Sequence, residues 1–175
     1  MKRTNINPAT IDSLEPRQFL TADYAVLVGS TLMVTGTAGN DVADIIERRG
    51  KIRVHMNDPA VVMQFPRASV ALAIVQLGDG NDHFVMDAAL VLDVKVFGGA
   101  GNDAIGTSLG NDRIEGGDGN DSLVGGGGDD RLYGQAGDDL IYGQSGRDFI
   151  FGGEGADTAF AESRDRTVDS IEILR

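Results

Sequence analysis

From Gly98 to Phe160 the sequence reads GGAGNDAIG, TSLGNDRIE, GGDGNDSLV, GGGGDDRLY, GQAGDDLIY, GQSGRDFIF and GGEGADTAF, seven consecutive nonapeptides without a gap. Position four is Gly in every unit. Position six is Asp in every unit: Asp103, Asp112, Asp121, Asp130, Asp139, Asp148 and Asp157. Position eight is apolar throughout, running Ile105, Ile114, Leu123, Leu132, Ile141, Ile150 and Ala159. A period this strict marks a solenoid, in which each repeat buries its apolar side only by stacking on its neighbours. Glycine permits positive φ and close backbone approach, so the GGxG run makes a tight turn. The triplet at positions seven to nine then reads as a three-residue strand, its middle side chain pointing inward and its outer two outward. Two nonapeptides complete one coil. Coils stack about 4.8 Å apart, which sets each turn beside that of the next repeat but one.

The pattern GGxGxDxUx, with U apolar, resembles the repeat-in-toxin (RTX) or haemolysin-type calcium-binding family over residues 98–160. The resemblance implies an all-β chain built on a right-handed parallel β-roll or β-helix solenoid. It also implies calcium at the position-six aspartates, with backbone carbonyls of the Gly-rich turns completing each shell.

Charge argues for the same ion. Stacked turns bring position-six carboxylates into files about 5 Å apart, where like charges repel by roughly 1–3 kcal/mol per pair. Residues 98–160 hold 12 acidic and 3 basic side chains, a net −9 of the chain's −12. One large apolar side chain per nine residues does not offset the entropy of ordering them, so a metal has to supply the difference. Calcium accepts six to eight oxygens in flexible geometry, carbonyls included, whereas magnesium wants a strict octahedron. Joining each repeat to the next but one pairs Asp103 with Asp121, Asp112 with Asp130, Asp121 with Asp139, Asp130 with Asp148, and Asp139 with Asp157. The expectation is therefore five Ca2+ ions, and a chain that becomes compact when they bind.

The array has ragged ends. Continuing the frame past Phe160 gives AESRDRTVD, with Arg166 at position six, a residue unable to ligate calcium. Residues 161–175 are read as a C-terminal cap whose VDSIEIL run supplies a closing strand, the alternative being a C-terminal secretion signal of the export route common in this family. Upstream, GTAGND (Gly36 to Asp41) and LGDGND (Leu77 to Asp82) are partial matches. Asp82 lies 21 residues before Asp103, so a three-residue insertion would let its turn stack below and hold a sixth ion.

Residues 24–97 alternate strand-like runs (25–35, 43–48, 51–56, 61–65, 70–77 and 90–97) with turn residues, and are read as an irregular β-helix-like region that nucleates the roll. ERRGKIRV reads as a hairpin turning at Arg49-Gly50. Met33, Met56, Met63 and Met86 read as core filler. Residues 1–23 form an N-terminal arm. Within it, LEPRQFLTAD is similar to the LEPR-x-L-L sorting segment of certain bacterial exported or surface proteins, with Phe19 departing from the pattern.

Several chemistries are excluded or weakened. The net charge of −12 argues against nucleic acid and anionic membrane as partners. No run approaches the roughly 18 apolar residues of a membrane span. There is no Cys, and the two histidines, His55 and His83, sit in no HExxH or triad pattern. Asp118-Gly119-Asn120-Asp121 fails as an EF-hand loop because Leu123 stands where Gly is required. The chain is therefore read as a non-enzyme: a calcium-stabilised secreted or cell-surface module in adhesion or scaffold work. The alternative is an accessory module of a secreted glycan- or protein-degrading enzyme system. Tyr133, Tyr142, Phe151 and Phe160 at position nine, with Leu140 and Phe149 at position seven, are expected to face outward as an aromatic ladder. Such a ladder suits a protein partner, self-association, or cover by the chain's own ends.

Overall fold

The computed structural model describes residues 24–162, 164–168 and 171–174. The N-terminal LEPR segment lies outside them. The described residues form two sheets, whose strands alternate along the chain from the fifth strand onward. The first runs β1 (Tyr24–Val28), β2 (Thr31–Thr35), β6 (Leu72–Asp79), β8 (Val94–Ala100), β10 (Arg113–Asp118), β12 (Arg131–Ala136), β14 (Phe149–Glu154) and β16 (Arg166–Val168). The second runs β5 (Asp58–Pro66), β4 (Lys51–Met56), β3 (Val42–Arg48), β7 (His83–Met86), β9 (Ala104–Gly106), β11 (Ser122–Gly127), β13 (Leu140–Ser145), β15 (Asp157–Phe160) and β17 (Ile171–Leu174). From β2 and β3 onward successive coils pair in parallel. This is the expected parallel β-roll.

In the roll the register is one coil, 18 residues, as in Ile114 opposite Leu132 and Leu123 opposite Ile141. Position eight fills the core: Ile114, Leu123, Leu132, Ile141, Ile150 and Ala159 are fully buried and Ile105 nearly so. The strands are longer than three residues. Most span six, running through position nine into positions one to three of the next unit. Gly117 and Gly119 show why: at φ 124° and 122° the extended chain tightens into the turn, and a Cβ on either would overlap the carbonyl oxygen of Gly99 or Gly101 one coil below.

The N-terminal part uses the same two sheets with a larger core, including Leu32, Val34, Ile45, Ile52, Val54 and Phe84. The run 25–35 is not one strand. It folds into an antiparallel hairpin, β1 against β2, turning at Gly29 and Ser30 with Gly29 at φ 62°. The β3–β4 hairpin does turn at Arg49-Gly50, both at positive φ (55° and 70°), as a tight two-residue hairpin requires. Strand β5 extends that hairpin to a meander. The outermost strands of the two sheets meet at Ala25, whose N–H donates to Met63 Sδ at 3.2 Å, closing the end of the solenoid. Met56, Met63 and Met86 pack on or in the core.

Two details differ at the other end. Phe149 pairs with Arg166, 17 residues on, so the last coil is one residue short and Asp165, not Arg166, takes position six. Asp148 N–H donates to Asp165 Oδ1 at 3.0 Å, as the regular repeats do. The segment after Phe160 continues the roll for one more coil, β16 on the first sheet and β17 on the second.

Candidate metal centre

At each edge of the roll the position-six aspartates stand in a file. One edge holds Asp41, Asp82, Asp103, Asp121, Asp139 and Asp157, the other Asp112, Asp130, Asp148 and Asp165. Apart from that of Asp41, each Oδ1 accepts the backbone N–H of the residue one coil earlier: Asp103 to Asp121 at 2.8 Å, Asp121 to Asp139 at 2.8 Å, Asp139 to Asp157 at 2.9 Å, Asp112 to Asp130 at 2.8 Å and Asp130 to Asp148 at 3.0 Å. All five sequence-derived pairs are brought together. The three-residue insertion before Asp103 is absorbed in a turn at Asp87, whose carbonyl accepts the Leu90 N–H. Asp82 therefore stacks below Asp103 (2.8 Å), and Asp41 stacks below Asp82 (2.8 Å).

The second carboxylate oxygen separates Asp41 and Asp165 from the other members of the files. Oδ2 of Asp82, Asp103, Asp112, Asp121, Asp130, Asp139, Asp148 and Asp157 is buried with no hydrogen-bond partner. A buried charged oxygen without a partner costs several kcal/mol, which proton uptake or a cation relieves. Burial, opposed by the N–H on Oδ1, pushes the carboxyls of Asp121 and Asp130 up to about 7, and those of Asp82, Asp112 and Asp139 up to about 6. Asp103 and Asp148 are raised by burial as well. At Asp41, the first of one file, and Asp165, the last of the other, protein donors fill the gap. Asp41 Oδ2 accepts Thr37 N–H at 2.6 Å, and Asp165 Oδ2 accepts Glu162 N–H at 2.5 Å.

Six of the unpartnered oxygens, all but those of Asp82 and Asp112, face a cradle that position-one glycine leaves open. A Cβ on Gly116 would overlap Asp121 Oδ2 and crowd the Gly134 carbonyl oxygen, and one on Gly134 would do the same to Asp139 Oδ2 and Gly152. The orphan oxygens of Asp103, Asp121, Asp130 and Asp139 thus lie beside the position-one carbonyl of the next coil. Among the described residues no group of three or more carboxylate or imidazole side chains converges on one point. The donor set is hard oxygen, part carboxylate and part carbonyl, which fits calcium and not zinc. The second repeat departs from this, since Thr107 holds position one and its buried hydroxyl donates to the Gly125 carbonyl.

Position five carries a second file that sequence reading passed over. Asn102 Oδ1 accepts Asn120 N–H at 2.7 Å, Asn120 Oδ1 accepts Asp138 N–H at 2.9 Å, and Asn111 Oδ1 accepts Asp129 N–H at 2.8 Å. These bonds point from one coil to the next above, opposite in sense to the position-six bonds. The signal was present, because five of the seven units carry Asn or Asp there. His55 is engaged by Asp44 at 2.7 Å. The outward aromatics form two short ladders rather than one, because successive repeats alternate between sheets. Tyr133 packs against Phe149 and Phe151 on the first sheet, and Tyr142 stacks on Phe160 at 4.5 Å on the second.

Residues 93–114, 106–139 and 124–159 match the RTX calcium-binding nonapeptide repeat, a family description covering four copies. Nothing matches among curated proteins or solved structures. The unpartnered buried oxygens and the family match agree: over residues 93–159 the chain is an array of RTX calcium-binding nonapeptide repeats on a parallel β-roll.

Proposed function

We propose that this chain is a calcium-stabilised structural module of the cell surface or extracellular space, and that residues 98–160 fold when the ions bind. The observation that carries this reading is the row of eight buried carboxylate oxygens without partners, four of which (on Asp103, Asp121, Asp130 and Asp139) lie beside a backbone carbonyl of the next coil. Asp103, Asp112, Asp121, Asp130, Asp139, Asp148 and Asp157 hold the ions. The five stacked pairs give five sites, and the Asp82 turn below Asp103 gives a sixth. Asp41 and Asp165 bound the array, because their second oxygens are already hydrogen-bonded within the chain.

Calcium supplies the positive charge that lets a file of ionised carboxylates stay buried. The chain's own part is to fix Oδ1 on a backbone N–H and so aim Oδ2 at the cradle. Extracellular calcium modules bind at about 10⁻⁴ to 10⁻³ M, far above cytosolic calcium, which supports a secreted or surface setting. Calcium titration followed by circular dichroism, with bound metal counted by elemental analysis, tests the reading. The expected result is a cooperative gain of β signal with five to six ions per chain. A signal indifferent to calcium would sink it.

A further inference from the structure

The outer faces of the two sheets differ in chemistry. On the second sheet, Ala104, Ser122, Leu140 and Thr158 form the position-seven row, and Val124, Tyr142 and Phe160 continue the position-nine row, none of them charged. On the first sheet the position-seven row reads Lys95, Arg113, Arg131, Phe149, Arg166 on adjacent strands. Lys95, Arg131 and Arg166 are exposed, and no ion pair holds them among the described residues. The row beside it carries Phe97, Glu115, Tyr133 and Phe151. Arg113 neutralises Glu115 at 2.7 Å and stacks over Tyr133, 4.4 Å from the ring centre.

The row ends in a concavity of about 310 Å³ where Arg131, Arg147, Arg164 and Arg166 surround Phe149. Its acidic lining is Asp129, Asp130 and Asp148. Asp129 is paired with Arg147 at 2.7 Å, and Asp130 and Asp148 are two of the proposed calcium ligands. With the ions in place, Arg131, Arg164 and Arg166 are left as excess positive charge on a chain that is otherwise acidic.

We infer that this face binds a linear acidic polysaccharide, one bearing a sulfate or carboxylate on its sugars, laid along the solenoid axis with an anionic group in the arginine concavity. The inference rests on the calcium reading, which frees the concavity of acidic charge. From Lys95 to Arg166 is four strand steps, roughly 19 Å at the sheet spacing. The unpaired cations Lys95, Arg131 and Arg166 stand two steps apart, roughly 10 Å, so anionic groups on every second sugar of an extended chain can meet them. The neighbouring aromatic row offers flat apolar surface to the sugar rings. A nucleic-acid duplex fits poorly, because its second phosphate row would meet the acidic turn edge at Asp79, Asp118 and Glu154.

The test uses the full chain loaded with calcium and immobilised dextran sulfate, with uncharged dextran as reference. Arg131→Ala/Arg166→Ala is expected to weaken retention at least tenfold. Arg49→Ala/Lys51→Ala, in the other basic cluster on the β3–β4 hairpin, should change it less than twofold. Unaltered calcium titrations of both variants by circular dichroism show that the roll still forms. A folded Arg131→Ala/Arg166→Ala chain that binds as tightly as the parent overturns the inference, as does equal loss in the hairpin variant, or duplex DNA held more tightly than dextran sulfate. A parent chain that takes up calcium but passes over dextran sulfate overturns this inference alone. One that takes up no calcium overturns the reading beneath it too.

Discussion

Residues 24–97 and 98–160 build the same two sheets from different resources. The first stretch buries 17 apolar residues, Phe84, Leu32 and Ile45 among the largest, whereas the second buries seven, one per nonapeptide. The second buries seven aspartates, each 3% exposed or less, against two, Asp41 and Asp82, in the first. Burying apolar surface lowers free energy whatever the ions in solution, but burying a carboxylate does so only when a cation or proton compensates it. On the proposed reading, one backbone architecture is sustained by packing at one end and by ligation at the other. On that reading the packed end offers the ligated end an edge, β6 and β7, on which its first coil can stack.

The largest break in this comparison comes from chelation. In excess chelator, amides of β10 to β15 should exchange about a hundredfold or more faster than in calcium, while those of β2, β3 and β4 should stay near their calcium-loaded rates. Equal protection at both ends would remove the distinction. Next come single ligands. Asp121, Asp130 and Asp139 each belong to two stacked pairs and Asp157 to one, so Asp130→Ala should lose about two ions and Asp157→Ala about one by elemental analysis. Equal losses across the series would refute the pairing.

Protons offer a milder substitute for metal. The folded-state carboxyls of Asp121 and Asp130 lie near 7 and those of Asp112 and Asp139 near 6, above the ordinary 3.8. A raised carboxyl stabilises the folded form fully below its unfolded value, and that contribution disappears as pH climbs through the folded value. The calcium-free roll should therefore show more β structure at pH 4 than at pH 8, and calcium should bind more weakly at pH 5 than at pH 8. A calcium-free spectrum unchanged from pH 4 to 8 would contradict the burial.

Glycine substitutions sharpen the contrast further. Gly134→Ala places a Cβ into Asp139 Oδ2 and the Gly152 carbonyl, and should cost about 1–3 kcal/mol in calcium, read by thermal melting. Smallest is Arg49→Gly, which relieves a non-glycine residue at φ 55° and should add about 1 kcal/mol, with or without calcium.

Much of the roll was legible because each of its contacts repeats. Position eight announced the core, position six the files, and Arg49-Gly50 the hairpin, since each rests on local chemistry visible within a few residues. The misreadings share a cause, which is that pairing partners lie far away in sequence. Gly29-Ser30 is a weak turn signal inside an apolar run, and only the pairing of Val26 with Met33 reveals the fold-back. Asp165 was missed because a one-residue deletion breaks the nonapeptide frame while leaving the stacking intact. Strand length was underread because glycine disfavours strands, yet Gly116 and Gly117 extend β10 once a coil lies on either side.

The opposed bonds of positions five and six constrain how such a chain can lengthen. A coil inserted whole presents the same acceptors above and below, so growth in units of two nonapeptides leaves every neighbour served. A single added nonapeptide would send each downstream strand to the opposite sheet, exchanging the cationic side for the uncharged one beyond the insertion. Gene duplication in this chain is therefore expected to proceed in even steps wherever both sides are in use.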